Sequence, residues 1–392
     1  MVIKNVRIRT MSAKDYDNGF VRFGEIITEI GDMSEYVEVD EDVINGDGRT
    51  LYPGFIDAHC HLGMWSDGYS MQLEGDDGNE CTDPVTPQLR AIDSINAMDR
   101  CFEDAARAGV TAVCTGVGSA NPIGGSFAIL KTAGSKRVDK LVVKNPACIK
   151  FALGENPKNT YNDRDETPIT RMATAALIRE QLRKTLRYKE DWDEYNRLKG
   201  TDDEVSKPDF DAKCDAMLPL FNKEEPLQAH FHCHRADDIF TAVRIVREFG
   251  LNYVLIHCTE GALIADELAE DAPRVVMGPL IGDRGKPELI NHDISAPAAL
   301  NSRGIKLSVC TDHPETPIQY LPLTAAVAVR GGLSRDEALK SITINAAEIL
   351  GISNRLGSIE VGKDADFALF AGDPLDVTVM PDMVFIDGKR RF

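Results

Sequence analysis

Short apolar runs that end in small or polar residues recur between Tyr52 and Leu350, and this recurrence restricts the fold more than any other feature of the chain. The runs are Gly54–His59, Val110–Thr115, Cys148–Leu153, Tyr253–His257, Val275–Met277 and Ile305–Thr311. Amphipathic stretches such as Thr86–Ala108 and Asp237–Phe249 lie between them, with apolar residues at helical spacing. Strands alternating with helices imply βα units and a parallel sheet. The expected fold class is therefore α/β, with a (β/α)8 TIM-like barrel over residues 53–354. A closed barrel needs about 250 residues, which leaves room for an insertion. That insertion falls around 155–225. Within it, Arg171–Lys189 reads as a helix, and Asp191–Asp211, with Gly200, Pro208 and dense mixed charge, reads as a solvated loop or lid.

The two ends of the chain alternate differently. Val2–Ile8, Phe20–Phe23 and, near the C-terminus, Ala365–Phe370 and Met383–Ile386 have the period of half-buried strands. Residues 1–52 and 355–392 are expected to join into one small accessory β-sandwich domain, since domain termini often lie close together. Gly116–Gly118 and Ile123–Ser126 lack a phosphate-binding fingerprint and read as loops on the pocket rim. The balance of 44 basic against 63 acidic residues, net −19, excludes a general nucleic-acid backbone binder. No apolar run approaches the roughly 18 residues of a membrane span, and Met1–Thr10 lacks a signal-peptide core. Nine cysteines without paired spacing do not resemble a disulfide framework. The chain reads as soluble and cytoplasmic, with a small-molecule substrate, and is compatible with a homo-oligomer.

The chemistry concentrates in the histidines. In Gly54-Phe55-Ile56-Asp57-Ala58-His59-Cys60-His61, positions i and i+2 of one strand share a face, so His59 and His61 can present two imidazoles to one metal. His230, His257 and Asp312 end other predicted strands, and in a barrel such residues converge on one site. Imidazole with carboxylate suits zinc, with iron, manganese or cobalt as alternatives. His230, His232 and His234 alternate along a single strand face. Arg235 can anchor a substrate carboxylate or simply pair at a helix start. Glu260 and His313 flank the candidate ligands and read either as groups that support them or handle protons, or as residues with a simple structural role. A local cluster of Lys131, Lys150 and Arg171 could offset the acidic average for an anionic substrate.

These residues resemble those of the amidohydrolase superfamily, which includes imidazolonepropionase, dihydroorotase and Xaa-Pro or Xaa-Arg dipeptidases. Leu51–His61 is similar to its N-terminal metal motif, Thr311-Asp312-His313 to its strand-eight aspartate, and Gly357–Asp366 to its closing segment. The resemblance covers essentially the whole chain and implies that His59, His61 and Asp312 hold one metal, and His230 and His257 a second. Choosing His230 rests on the resemblance, with His232 as the alternative. It further implies a bridging acid after strand four, either a carboxylated Lys150 or Glu155.

The activity implied is hydrolysis of a C–N bond in an amide, cyclic amide or dipeptide-like substrate by metal-activated water, with Asp312 as both ligand and general base. An unbridged single metal would instead favour a deaminase or imidazolonepropionase-type reaction. A third reading is a catalytically inactive scaffold like the dihydropyrimidinase-related proteins, against which the retention of every expected ligand type argues.

Overall fold

A computed structural model describes residues 1–65, 77–200 and 205–392 of the chain. Five N-terminal strands, β1 (Val2–Ile8), β2 (Tyr16–Phe23), β3 (Ile27–Asp32), β4 (Val43–Asn45) and β5 (Thr50–Pro53), precede the barrel strands. Those are β6 (Phe55–Cys60), β7 (Val110–Thr115), β8 (Ile123–Lys131), β9 (Val142–Ala152), β10 (Gln228–Cys233), β11 (Tyr253–His257), β12 (Val275–Met277) and β13 (Leu307–Val309). The C-terminal strands are β14 (Phe367–Phe370), β15 (Met383–Ile386) and β16 (Lys389–Arg390).

β6 to β13 pair in chain order into one eight-stranded sheet that is nearly closed. Across the gap, the His61 N–H donates to the His313 carbonyl (2.9 Å) and the Thr311 N–H to the Asp57 carboxylate (3.1 Å). The strict βα repeat breaks once, because β8 is antiparallel to both β7 and β9. Only residues 116–122 connect β7 to β8, too few for the crossover a parallel partner needs.

Ile123–Ser126 is thus strand, not loop. Its glycines are required by packing: a Cβ on Gly125 would meet the Leu89 carbonyl oxygen at 2.3 Å, and one on Gly124 would meet Val117 at 2.9 Å. The predicted helix Thr86–Ala108 shortens to Arg100–Arg107, because Val85 and Arg90 run beside β8 and bridge to Ile123 and Ser126.

In the insertion, the helix runs from Arg171 to Leu198, so Asp191–Leu198 is helical where a loop was expected. Trp192 stacks edge-on between Tyr188 (6.2 Å) and Tyr195 (5.9 Å), and Lys189 pairs with Asp193 one turn on. Part of the expected lid, residues 201–204, lies outside the described residues.

The strands of the two chain ends lie on one continuous hydrogen-bonded path, β16-β15-β14-β5-β1-β2-β3 with β4 beside β1, where two stacked sheets were expected. The path curls: Phe23 of β2 contacts Phe367 of β14 and Phe385 of β15, at 4.8 and 5.5 Å between ring centroids, although these strands are far apart in the sheet order. Asp387-Gly388, both at positive φ, turn β15 into β16. At the junction of the two sheets Pro53 ends β5 and Phe55 starts β6, and Gly54 between them leaves no room for a side chain, since a Cβ would meet Thr111 Oγ1 at 2.0 Å. Among the described residues no disulfide forms, and no helix is long and apolar enough to cross a membrane.

Candidate metal centre

The C-terminal ends of β6, β9, β10, β11 and β13 carry the polar side chains of the barrel mouth. His59, Lys150, His232 and His257 are each at most 3% exposed, and His61 is also buried. Two of the group sit on left-handed backbone, His257 (φ 71°) and Asp312 (φ 52°). For residues with a Cβ this conformation is costly, and strain of this kind collects at functional sites. It also has a geometric effect. Val254 and Ile256 pack with Cys114 and Cys148 inside the barrel, so regular alternation would turn His257 away from them. The left-handed turn at His257 and Cys258 brings the imidazole back over the mouth, where it lies 5.7 Å from the His59 ring.

Donor atoms of His59, His257 and Asp312 lie within 4.8 Å of one another, as do those of His232, His234 and His257. Asp312 Oδ1 is 3.3 Å from His61 Nε2 and 3.6 Å from His59 Nε2. Lys150 Nζ is 3.0 Å from His59 Nε2. Backbone carbonyls select the tautomers. His61 Nδ1–H donates to Gly116 O (2.7 Å) and His257 Nδ1–H to Gly278 O (2.6 Å), which leaves both Nε2 atoms as lone pairs. Asp312 Oδ1 and the Nδ1 atoms of His59 and His232 are buried without a hydrogen-bond partner.

Burial sets the charge states. It pushes His257 down to about 4 and holds His59, His232 and His234 well below the ordinary imidazole value. It brings Lys150 down to about 8. Burial also opposes ionisation of Asp312, yet His257, His61 and Lys150 together hold it at about 2. The result is a set of imidazoles, His59, His232, His234 and His257, that burial disposes to stay neutral, beside a carboxylate that positive charge on its neighbours keeps ionised.

The other residues singled out in the sequence are distributed as follows. His230 is not with the mouth group: its ring groups with Cys114 and Cys148 deeper in the barrel, and its Nε2 meets Gln228 Oε1 at 3.0 Å. His232, one pleat higher, stands 4.5 Å from the His257 ring. Glu155 starts the helix Glu155–Asn162, where its N–H donates to Glu288 Oε2 (3.0 Å), and it belongs to neither donor group at the mouth. Arg235 is largely exposed and pairs with Asp237 at 3.0 Å. Glu260 ties two loops, accepting from Ala236 N–H (2.7 Å) and the Asn291 amide (2.8 Å). His313 Nδ1 accepts from Ile318 N–H (3.2 Å), and burial lowers the ring to about 4.

Lys131, Lys150 and Arg171 do not form a joint cationic patch. Lys131 is taken by Asp364, Asp366 and Asp387, and Arg171 by Asp238. Two further residues stand at the mouth: His234, which the alternation with His230 and His232 marks, and Glu288, which carries no sequence signal of its own. His234 stacks on His257 (4.6 Å) with its Nδ1 on Thr259 Oγ1 (2.7 Å), and Glu288 lies 3.8 Å from His234 Nε2. Burial raises Glu288 to about 7. It sits in a single helical turn after β12, where no periodicity marks it.

Comparison with known proteins places this geometry. A model of the amidohydrolase family matches residues 228–391. Among curated proteins, "Amidohydrolase tasK" of Hapsidospora irregularis is 28% identical over 94% of this chain, which spans 39% of that protein's length. The imidazolonepropionase of Sphingopyxis alaskensis is 27% identical over 95% of this chain and 92% of its own. Among solved structures, an amidohydrolase from Thermotoga maritima MSB8 superimposes with a TM-score of 0.93 at 37% identity, covering 100% of this chain and 99% of that one. With a whole-chain relative at that identity and a matching barrel, the chain belongs to the amidohydrolase family.

Proposed function

We propose that the protein is a metal-dependent hydrolase that cleaves a C–N bond of an amide, cyclic amide or dipeptide-like substrate at the mouth of the barrel. The observation that carries this reading is the approach of His61 Nε2 to Asp312 Oδ1 at 3.3 Å. The Gly116 carbonyl holds the His61 proton on Nδ1, so an imidazole lone pair and a carboxylate oxygen face each other in a buried site. Such a contact is unfavourable unless positive charge lies between the two atoms, either a proton on Nε2 or a metal ion.

In this reading His59, His61 and Asp312 hold a first divalent metal, and His232, in place of His230, acts with His257 for a second. Lys150, carboxylated on Nζ by carbon dioxide with loss of a proton, would supply the acid shared by the two sets of ligands. Zinc is the preferred ion for this donor set. When bound, the metal supplies Lewis-acid polarisation and a water acidic enough to attack at neutral pH. The chain's own residues do the rest. The Asp312 carboxylate takes the proton of the attacking water and passes it to the leaving nitrogen. His234 and Glu288 line the mouth beside them and orient the substrate. Residues 1–52 and 355–392 form an accessory unit on a catalytic barrel of residues 53–354, and the insertion around 155–225 contributes to specificity.

Metal analysis of the purified, zinc-loaded protein tests the reading. It expects at least about one tightly held ion per chain, a loss in His59→Ala, and turnover of some member of an amide, lactam and dipeptide panel. Unchanged metal content in His59→Ala would sink it. The full-length similarity to an imidazolonepropionase supports a second reading, a single unbridged metal acting on an imidazolone-like ring. In that case Lys150→Ala would keep its metal and most of its activity.

A further inference from the structure

A second cluster of ligating side chains lies deeper in the barrel and takes no part in the proposed reaction. Cys114 of β7, Cys148 of β9 and His230 of β10 are all fully buried, and one donor atom from each lies within 4.8 Å of the other two. Two thiols and an imidazole are a soft donor set, the kind that selects zinc or copper(I) over magnesium or manganese.

The imidazole is already oriented as a ligand. Gln228 Nε2 donates to the Ile349 carbonyl (2.7 Å), which fixes the amide and turns its oxygen toward His230. Gln228 Oε1 therefore accepts from His230 Nε2–H (3.0 Å), and Nδ1 is left as a bare lone pair. That Nδ1 is buried and has no hydrogen-bond partner. A histidine that donates one nitrogen to a fixed carbonyl while the other stays unpartnered is the usual arrangement of a metal ligand and its supporting shell. Charge points the same way. Two thiolates and a neutral imidazole around zinc(II) sum to zero, as do one thiolate, one thiol and the imidazole around copper(I), so either filled site avoids a net charge in the barrel interior.

We propose that Cys114, Cys148 and His230 form a sulfur-containing site for a thiophilic ion, zinc(II) or copper(I), in the floor of the barrel and distinct from the metal centre at the mouth. An ion there ties β7, β9 and β10 together across the intervening antiparallel strand β8.

X-ray absorption separates this site from the one above it, because the mouth ligands proposed here contain no sulfur. The full-length protein is loaded with zinc(II) alone in one arm and copper(I) alone in the other, and the spectrum is read at each metal's own edge. The expected result is a sulfur shell, at about 2.3 Å for zinc, beside the nitrogen and oxygen shell, in whichever arm carries the native ion. In Cys114→Ser/Cys148→Ser the sulfur shell disappears and metal content falls by about one ion per chain. The single variant Cys114→Ala serves if the double variant does not fold. A nitrogen and oxygen shell alone in both arms of the wild type overturns the site, as does a sulfur shell that persists in the variants. Either result leaves the mouth reading standing, since that is tested by His59→Ala.

Discussion

Lys131 ties the barrel to the terminal sheet through buried charge. Its Nζ, at the end of barrel strand β8, lies 2.6 Å from Asp366, 2.9 Å from Asp364 and 3.1 Å from Asp387. The side chains of Lys131 and Asp366 are 4% and 2% exposed. Replacing Lys131 with Met keeps most of the packing and removes the charge, which leaves Asp366 buried against two other carboxylates. Breaking a buried pair from one side costs about 3–5 kcal/mol. An unfolding entropy of about 2.1 cal/mol/K per residue over 392 residues gives roughly 0.8 kcal/mol/K, so the expected fall in Tm by calorimetry is about 4–6 °C.

The pH dependence supplies a second readout. Burial already raises Asp366 above its ordinary value, and loss of Lys131 raises it further. For a carboxyl with a raised folded pKa the cost is present at neutral pH and is relieved as pH falls toward the unfolded value near ~4. The deficit of Lys131→Met should therefore shrink on acidification, and Asp366→Asn added to it should recover part of the loss at neutral pH. A Tm change under about 1 °C, or a deficit that stays constant from pH 7 to 5, would refute the reasoning.

Three further outcomes are expected. Asp312→Asn removes the proposed base and should lower kcat by about 10²–10⁴, checked by steady-state assay on any panel substrate that turns over. Glu288→Gln should flatten the fall in stability between about pH 4.5 and 7. The raised pKa of Glu288 makes its ionisation costly in the fold as pH rises, and the gain at pH 8 should be on the order of 1–3 kcal/mol by urea unfolding. Gly125→Ala forces a Cβ onto the Leu89 carbonyl oxygen and should cost about 1–3 kcal/mol by the same measurement; a neutral result would mean that Leu89 can withdraw.

The legibility of this chain varied with how local each signal was. His59 and His61 could be placed at one strand end because a period of two and a glycine-led apolar run are properties of eight consecutive residues. The strand β8 could not be placed that way. Gly124-Gly125 looks like a loop until Leu89 and Val117, distant in sequence, are seen to occupy the space a side chain would need. Likewise Asp191–Leu198 reads as solvated charge, and its helix is continued by an aromatic stripe, Tyr188-Trp192-Tyr195, whose spacing was outweighed by the surrounding acids and bases.

By itself the sequence determined the barrel class, four of the strands at the two termini and the kinds of side chain that could serve as ligands, because periodicity and residue chemistry are local. Which ligands meet was decided by the tertiary structure. His230 and His232 are equivalent along β10, with the same face, burial and chemistry. One pleat of height sends the first to Cys114 and Cys148 and the second to His257. That height is set by the register of β10 against β9, which pairs His230 with Lys150 and His232 with Ala152, a long-range hydrogen-bonding relation that no pattern within either strand encodes.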